Sequence, residues 1–464
     1  MVSHIFPRHT QDKLPTAFGG EGCFLFDETG KKYLDASGGA AVSCLGHSHP
    51  KIISALHKQL DSLAYAHTSF FTSEPAETLA TKLISNAPGD LSQVYLVSGG
   101  SEAIEAALKL ARQYFLETGQ PCRKEVIARR QSYHGNTLGA LAVGGNEWRR
   151  SKFAPLLVDT HHIAPCYAYR EKYDYETEFE FGQRVANELE RKIEDLGSQN
   201  VMAFVAEPVV GATLGAVPAV DGYFKTIREI CDHNGVLLIL DEVMCGMGRT
   251  GTLFAYEQES IAPDIVCVAK GLGAGYQPIG ATICTDEIYS AIKNGSGFFQ
   301  HGHTYIGHPL AAAAANAVLD VLLEDNILEK VSGLGAHLEQ SLYTEFGQHS
   351  HVGDIRGRGL FYGLEIVKDK KTKEPFHSSD NLARRIKLIA KSRGLLCYPM
   401  SGTVDGKMGD HVLLAPPYII NEDKIHSVTT LLAESIDEAL GCTCLLYTSP
   451  SPRDRTRSRM PSSA

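Results

Sequence analysis

Lys270 stands where a lysine is rarely placed: it closes the apolar run Ile265–Ala269 in PDIVCVAKGLGAG, residues 263–275, and glycine follows it directly. Five apolar residues in a row read as a strand buried on both faces, with Lys270 at its mouth. Partial burial there disfavours the ammonium form and lowers the pKa, which makes the amine a nucleophile. A lysine that lays its stem on apolar surface and reaches water with its head gives the same local pattern. Two carboxylates hold matching places, because Asp241 follows VLLIL (236–240) and Glu207 follows VMAFVA (201–206). Three such strands in succession therefore end in an ionisable group, on the side where open α/β sheets bind ligands. The alternative, a structural Asp241–Lys270 ion pair, stabilises little once both charges are desolvated.

Further upstream, YLVSGGSEAIEAALKLAR (95–112) is a strand, a Ser-Gly-Gly-Ser loop and a long helix. Bare backbone at Gly100, the Ser101 hydroxyl and the free N–H groups of the first helical turn make an anion site suited to phosphate. Ser98 or Ser101 serves equally well as a simple helix cap. A second strand-to-helix junction, QSYHGNTLGA (131–140), presents Tyr133 and His134 before a glycine and offers an aromatic face. A phosphate site, an aromatic plate, a buried carboxylate and a lysine of depressed pKa are what pyridoxal 5′-phosphate requires. The lysine forms its Schiff base, and the aspartate keeps the ring nitrogen protonated so that the ring accepts electrons.

The elements that must position these groups follow from periodicity. GCFLFDETGKKYLD (22–35) reads as a hairpin about Glu28-Thr29-Gly30, and Lys51–Leu63 has helical spacing. From Val94 onward short, continuously apolar strands (94–97, 126–128, 201–206, 236–240, 265–269, 281–284) alternate with helices, which predicts a mostly parallel sheet between helical layers. Beyond a helix at 309–324 the elements are mixed, with a strand near Leu360–Val367 and helices near Asn381–Arg393 and Asp423–Leu440. The expected fold is α/β, with a large domain at 61–330 and a smaller α+β domain built from both chain ends, 1–60 and 331–441. Residues 442–464 are Ser/Pro/Arg-rich and aperiodic, and they resemble translated sequencing-adapter sequence, so they are left out of the fold argument.

At 464 residues and a formal charge of −10, with no basic stripe, the chain is a poor match for nucleic acid. No apolar run approaches the roughly 20 residues needed to span a bilayer. The first fifteen residues lack a signal or transit pattern, so the cytoplasm is the default. Eleven scattered cysteines without a CxxC pair read as reduced thiols. His47 and His49 lack the Cys, Asp or Glu that would complete a ligand set, so no metal is expected there. GLGAG follows a strand but leads into Tyr276-Gln277-Pro278 rather than a helix, which argues against a dinucleotide site.

LLILDEVMCGMGRTGTLFAYEQESIAPDIVCVAKGLGAGYQPIGA, residues 237–281, resembles the signature of the class III pyridoxal-phosphate aminotransferases, the ω-aminotransferase group. SGGSEAIEAALKLAR, SYHG, AEPVVG, GHTYIGHPLA and LLAPPYII extend the similarity over residues 33–440. The resemblance implies fold type I and a homodimer with shared sites. It makes Lys270 the Schiff-base lysine and proton shuttle, Asp241 the pyridinium partner, Val243 an apolar plate beneath the ring and Tyr133 the stacking partner opposite. Gly100 and Ser101 would hold the phosphate, His134 would sit with Tyr133 at the cofactor, and Thr304 would reach the phosphate of the neighbouring subunit. That role accounts for HGHTYIGH, with His301, His303 and His308, without an ion, so no metal is expected there either. Glu207 would lie on the cofactor's hydroxyl side.

The implied reaction moves an amino group from an amine or ω-amino acid to a 2-oxo acid in two half-reactions, through pyridoxamine phosphate. A decarboxylase, aminomutase or racemase on the same fold is the nearest rival, and a non-catalytic binding protein a more distant one. One departure stands out. Residues 398–418 carry no arginine before the Pro-Pro segment, only Lys407, which lacks the bidentate fork of the usual carboxylate clamp. Arg249, Arg356 and Arg358 remain as candidates, and Tyr65, Phe70 and Phe71 as an apolar wall.

Overall fold

The computed structural model describes residues 4–441, and the adapter-like segment at 442–464 lies outside them. At its centre is a sheet of seven strands: β1 Leu91–Val97, β2 Glu125–Arg129, β3 His161–Ile163, β4 Val201–Ala206, β5 Leu237–Asp241, β6 Ile265–Val268 and β7 Gly280–Thr285. Their spatial order is β1-β7-β6-β5-β4-β2-β3. Only β7 runs against the others, pairing antiparallel with both β6 and β1, so the sheet is mostly parallel as the continuous apolar runs imply.

Successive residues of one strand serve opposite cores. Leu237 and Ile239 of β5 join the cluster that contains Ala103, Ile104 and Ala107 of the helix α1, Gly100–Glu117. Leu238 and Leu240 join the other, with Phe181, Val185 and Leu189 of the helix Glu178–Leu196 and with Phe224 and Ile227 of the helix Tyr223–Asn234. The 2.0-residue period of a strand thus needs apolar side chains at every position, each contributing about 1.5–3 kcal/mol on full burial. In β4, β5 and β6 polar residues are confined to the strand ends. Leu240 pairs with Ala206 and Asp241 with Cys267, so Asp241 and Glu207 emerge in step at one edge of the sheet, beside the turn that carries Lys270.

The two chain ends meet in smaller sheets. The hairpin Phe24–Asp27 and Lys32–Asp35 pairs as its sequence predicts, and Leu395–Leu396 adds to it in parallel from the far end of the chain. An antiparallel sheet holds Val352–Arg358, Phe361–Ile366, Tyr398–Ser401 and Asp410–Leu414. Glu365, fully buried in this sheet, takes Arg170 Nε at 2.5 Å and Arg356 Nη1 at 2.8 Å. Arg356 also reaches Asp354 at 2.8 Å and donates through Nε to Gly215 O at 2.9 Å, which ties this sheet to the loop after β4.

Arg356→Ala removes one of the two cations on buried Glu365 together with its bonds to Asp354 and Gly215, so it is expected to destabilise the fold by about 3–5 kcal/mol. A urea titration followed by circular dichroism checks this, and an unchanged midpoint contradicts it.

Candidate active site

Lys270 follows β6 in a single turn of 3₁₀ helix, Lys270–Leu272, with φ at 43°, a left-handed conformation that non-glycine residues seldom adopt. Its carbonyl accepts from Gly273 N at 3.1 Å and Ala274 N at 2.9 Å, which holds the strained backbone in place. Burial lowers the pKa of its amine from 10.5 to about 8, with the Asp241 charge opposing the fall. The amine makes no ion pair with Asp241 among the described residues. Asp241 instead receives His134 Nδ1 on Oδ2 at 2.8 Å and Val243 N on Oδ1 at 3.0 Å.

His134 connects the two strand-end acids. Its second nitrogen lies 3.9 Å from Glu207 Oε2, is buried and has no hydrogen-bond partner. Burial pulls the imidazole pKa down, but Glu207 and the bond to Asp241 pull it up further, and the net shift is upward. Glu207 Oε1 also accepts from Tyr133 N at 3.1 Å, and Oε2 lies 3.4 Å from Arg129 Nη2. The result is a buried row, Arg129–Glu207–His134–Asp241, of alternating charge and hydrogen bonding across β2, β4, the Tyr133 loop and β5. Arg129 was not singled out from the sequence, although it ends a buried strand just as Asp241, Glu207 and Lys270 do. The neighbouring Glu242 takes no part: it accepts from Ala255 N at 2.6 Å and Tyr256 N at 2.7 Å, and burial pushes its pKa up to about 8.

Opposite this row, α1 begins at Gly100 with Gly99 as its N-cap and no capping side chain, so its first N–H groups stay free. The capping role open to Ser101 is not taken. Its hydroxyl accepts from Asn136 N at 3.1 Å. A Cβ on Gly100 would come within 2.6 Å of Val243 Cγ1, so the bare backbone is needed where the helix start passes the apolar plate. Gly100, Ser101, Tyr133, His134, Glu207, Asp241, Val243 and Lys270 all line one cavity of 440 Å³, a size that suits a small molecule. Thr304 is not brought there. It is exposed, and its carbonyl accepts from Tyr65 Oη at 2.7 Å. A wider groove of 1160 Å³ runs past Lys109, Arg112 and Glu117, but it gathers no comparable set of reactive groups.

Arg249, Arg356 and Arg358 are absent from the cavity. Arg249 is buried and donates to Leu360 O at 2.9 Å and Pro416 O at 2.6 Å. Arg358 pairs with Glu259 at 2.7 Å.

A mostly parallel sheet between helical layers, with a lysine, an aspartate and a helix start converging at its edge, defines a fold type I pyridoxal-phosphate enzyme. The chain belongs to the class III aminotransferases: the model of that family, aminotransferase class-III, matches residues 8–436. It is 45% identical over 443 residues to an aminotransferase of Gibberella zeae, covering 94% of this chain and 86% of the relative. It is 36% identical over 422 residues to the putrescine–pyruvate aminotransferase of Pseudomonas aeruginosa, covering 90% and 89%. A solved (S)-enantioselective ω-transaminase from Thermomicrobium roseum superposes with a TM-score of 0.87 at 35% identity, covering 95% of this chain and 96% of that one.

The chain is therefore an aminotransferase that works with pyridoxal 5′-phosphate. The residues present fit that group: free helix N–H groups and bare glycine suit the phosphate, and a buried carboxylate held by His134 suits the ring nitrogen.

In cofactor-free protein, capture of an aldehyde by Lys270 should rise with pH along the neutral-amine fraction, with a midpoint at about 8. Below that pH the amine is protonated and unreactive. Asp241→Asn removes the charge that opposes the fall, so the midpoint should move lower still. A stopped-flow pH profile of wild type and variant reads both, and a midpoint above 10 in wild type would contradict the geometry.

Proposed function

We propose that Lys270 is the residue that carries the cofactor and moves the proton during transfer, with its neighbours dividing the remaining work. The observation that carries this reading is the convergence on one cavity of an amine of pKa about 8, a doubly hydrogen-bonded aspartate and an uncapped helix start. When bound, pyridoxal 5′-phosphate supplies an electron sink for the amine-bearing carbon. Asp241 would hold the ring nitrogen protonated, with His134 acting through Asp241 rather than on the ring. Val243 and Tyr133 close the two faces. Gly100 and Ser101 hold the phosphate, and Glu207 lies on the hydroxyl side. A neutral Lys270 would accept the proton from the amine-bearing carbon of the substrate and hold it for return, a task for which a pKa near the working pH is effective.

The donor is an amine or ω-amino acid and the acceptor a 2-oxo acid such as pyruvate, glyoxylate or 2-oxoglutarate. The similarity to a putrescine–pyruvate aminotransferase supports this range. Two domains, 61–330 and the paired ends 1–60 with 331–441, frame the site, a division supported by the pairing of Leu34–Asp35 with Leu395–Leu396. The nine cysteines among the described residues are all unpaired, which supports a reducing, cytoplasmic setting. No helix among the described residues is long and apolar enough to cross a membrane.

The working unit is a homodimer. Phe70, Phe71 and Tyr305 are 79%, 68% and 63% exposed, an apolar surface beside Thr304 that a second copy would cover. From there Thr304 reaches the partner's phosphate site.

Two experiments test these roles. Adding an amine donor to the loaded protein should bleach the long-wavelength absorbance of the lysine-bound cofactor, and oxo product should form continuously only when an acceptor is present. Lys270→Ala should lower that turnover by about 10²- to 10⁴-fold; full activity in the variant refutes the assignment. Sedimentation should show a dimer, and Thr304→Ala should weaken retention of the cofactor by roughly tenfold without dissociating it, the scale of one hydrogen bond to a charged group. A monomer with full activity would overturn the shared site.

A further inference from the structure

The substrate carboxylate lacks its expected partner in this chain. Residues 398–418 carry no arginine, and Arg249, Arg356 and Arg358 are engaged elsewhere. One guanidinium beside the cavity is unengaged. Arg149 lies on the short helix Glu147–Arg150, half-buried, with Cζ 4.4 Å from the centroid of the Tyr133 ring. Among the described residues its side chain makes no ion pair and no hydrogen bond; its contacts are the Tyr133 and Trp148 rings. Arg150, the next residue, shows the contrast, because its Nη1 is taken up by the carbonyls of Ala142 and, at 2.8 Å, Gly144. A partly desolvated guanidinium with its planar fork open is matched to a carboxylate.

The helix that bears Arg149 is also fixed in place. Asn146 caps it by accepting from Arg149 N at 3.3 Å, and donates through Nδ2 to Gln131 Oε1 at 2.8 Å. Gln131 Nε2 in turn donates to Gly402 O at 2.8 Å and Thr403 O at 3.1 Å. Gly406, at φ +85°, passes so close that a Cβ there would lie 3.0 Å from Trp148 N. The loop that lacks the expected arginine is thus fastened to the segment that supplies another. Arg149 is also near enough to the reacting amine to add, after burial, to the lowering of the Lys270 pKa. The second cation close to Tyr133 is Arg8, on the exposed N-terminal stretch.

We propose that Arg149 binds the carboxylate of the amino- or oxo-acid substrate and so aims its reacting carbon at Lys270. This rests on the amino-transfer reading of the Lys270 site. It makes Arg149 the residue through which the chain accepts acids, while amines without a carboxylate use the same cavity without it.

The test compares Arg149→Ala, Arg149→Lys and Arg8→Ala in the loaded enzyme. It measures the two half-reactions separately, pyruvate as acceptor and putrescine as carboxylate-free donor, together with propionate binding followed by the cofactor's absorbance. Arg149→Ala should raise the KM for pyruvate and the propionate Kd by roughly 10- to 100-fold, the range for losing a charge-assisted contact. The putrescine half-reaction and the cofactor spectrum should change little beside those losses, because the Arg149 charge acts on the Lys270 amine only behind burial and Asp241. Arg149→Lys should recover only part of the acid affinity, because it lacks the fork, and Arg8→Ala should change nothing. Equal losses in both half-reactions, unchanged propionate binding, or a selective loss in Arg8→Ala alone would overturn the assignment. Failure of wild type to transfer amino groups at all would instead refute the underlying reading.

Discussion

The central sheet buries its strands on both faces, so charge gathers at the strand ends, and the reactive groups gather at the C-terminal ones. Asp241, Glu207 and Arg129 each end such a strand, and none has water enough to solvate it alone. His134 resolves this by donating to Asp241 while facing Glu207, and Arg129 completes the row behind Glu207. Every group in the row is held by another, so the geometry offered to a cofactor ring is set before the ring arrives. Loss of one member would leave a buried charge unmatched, which costs more than the pair itself contributes.

Against this fixed row Lys270 is the unmatched group. Its amine has no carboxylate within ion-pair reach among the described residues, its backbone sits in a left-handed conformation, and burial keeps its pKa at about 8. The same desolvation that penalises an ammonium ion there favours a neutral amine that can attack a carbonyl or take a proton. The row and the lysine are complementary. One is tied together by hydrogen bonds and ion pairs, and the other is held available for reaction.

Around this centre two of the candidate arginines are taken up in packing. Arg249 and Arg356 serve the packing between the sheets, where they engage buried carbonyls and the buried acid Glu365. The loop 402–409 is anchored through Gln131 and Asn146 to the helix carrying Arg149. Selectivity for acids is therefore governed at a different place from the chemistry, on a helix and loop that pack together at the outer side of Tyr133.

The sequence by itself determined the strands, the long helix and the chemical set at their ends. Continuous apolar runs and a glycine-rich helix start are local signals, and a charged residue directly after a buried strand can only lie at the sheet's edge. Lys270, Asp241, Glu207, Gly100, Ser101, Tyr133 and His134 were legible for that reason, and Arg129 carried the same signal without being read. What only the tertiary structure decided is pairing. Asp241 meets His134, 107 positions away, rather than Lys270, and Arg356 is spent on Gly215, 141 positions away, as well as on Glu365. Such partners are fixed by strand order and register, by which Leu240 lies against Ala206 and Asp241 against Cys267, and no local pattern encodes that order.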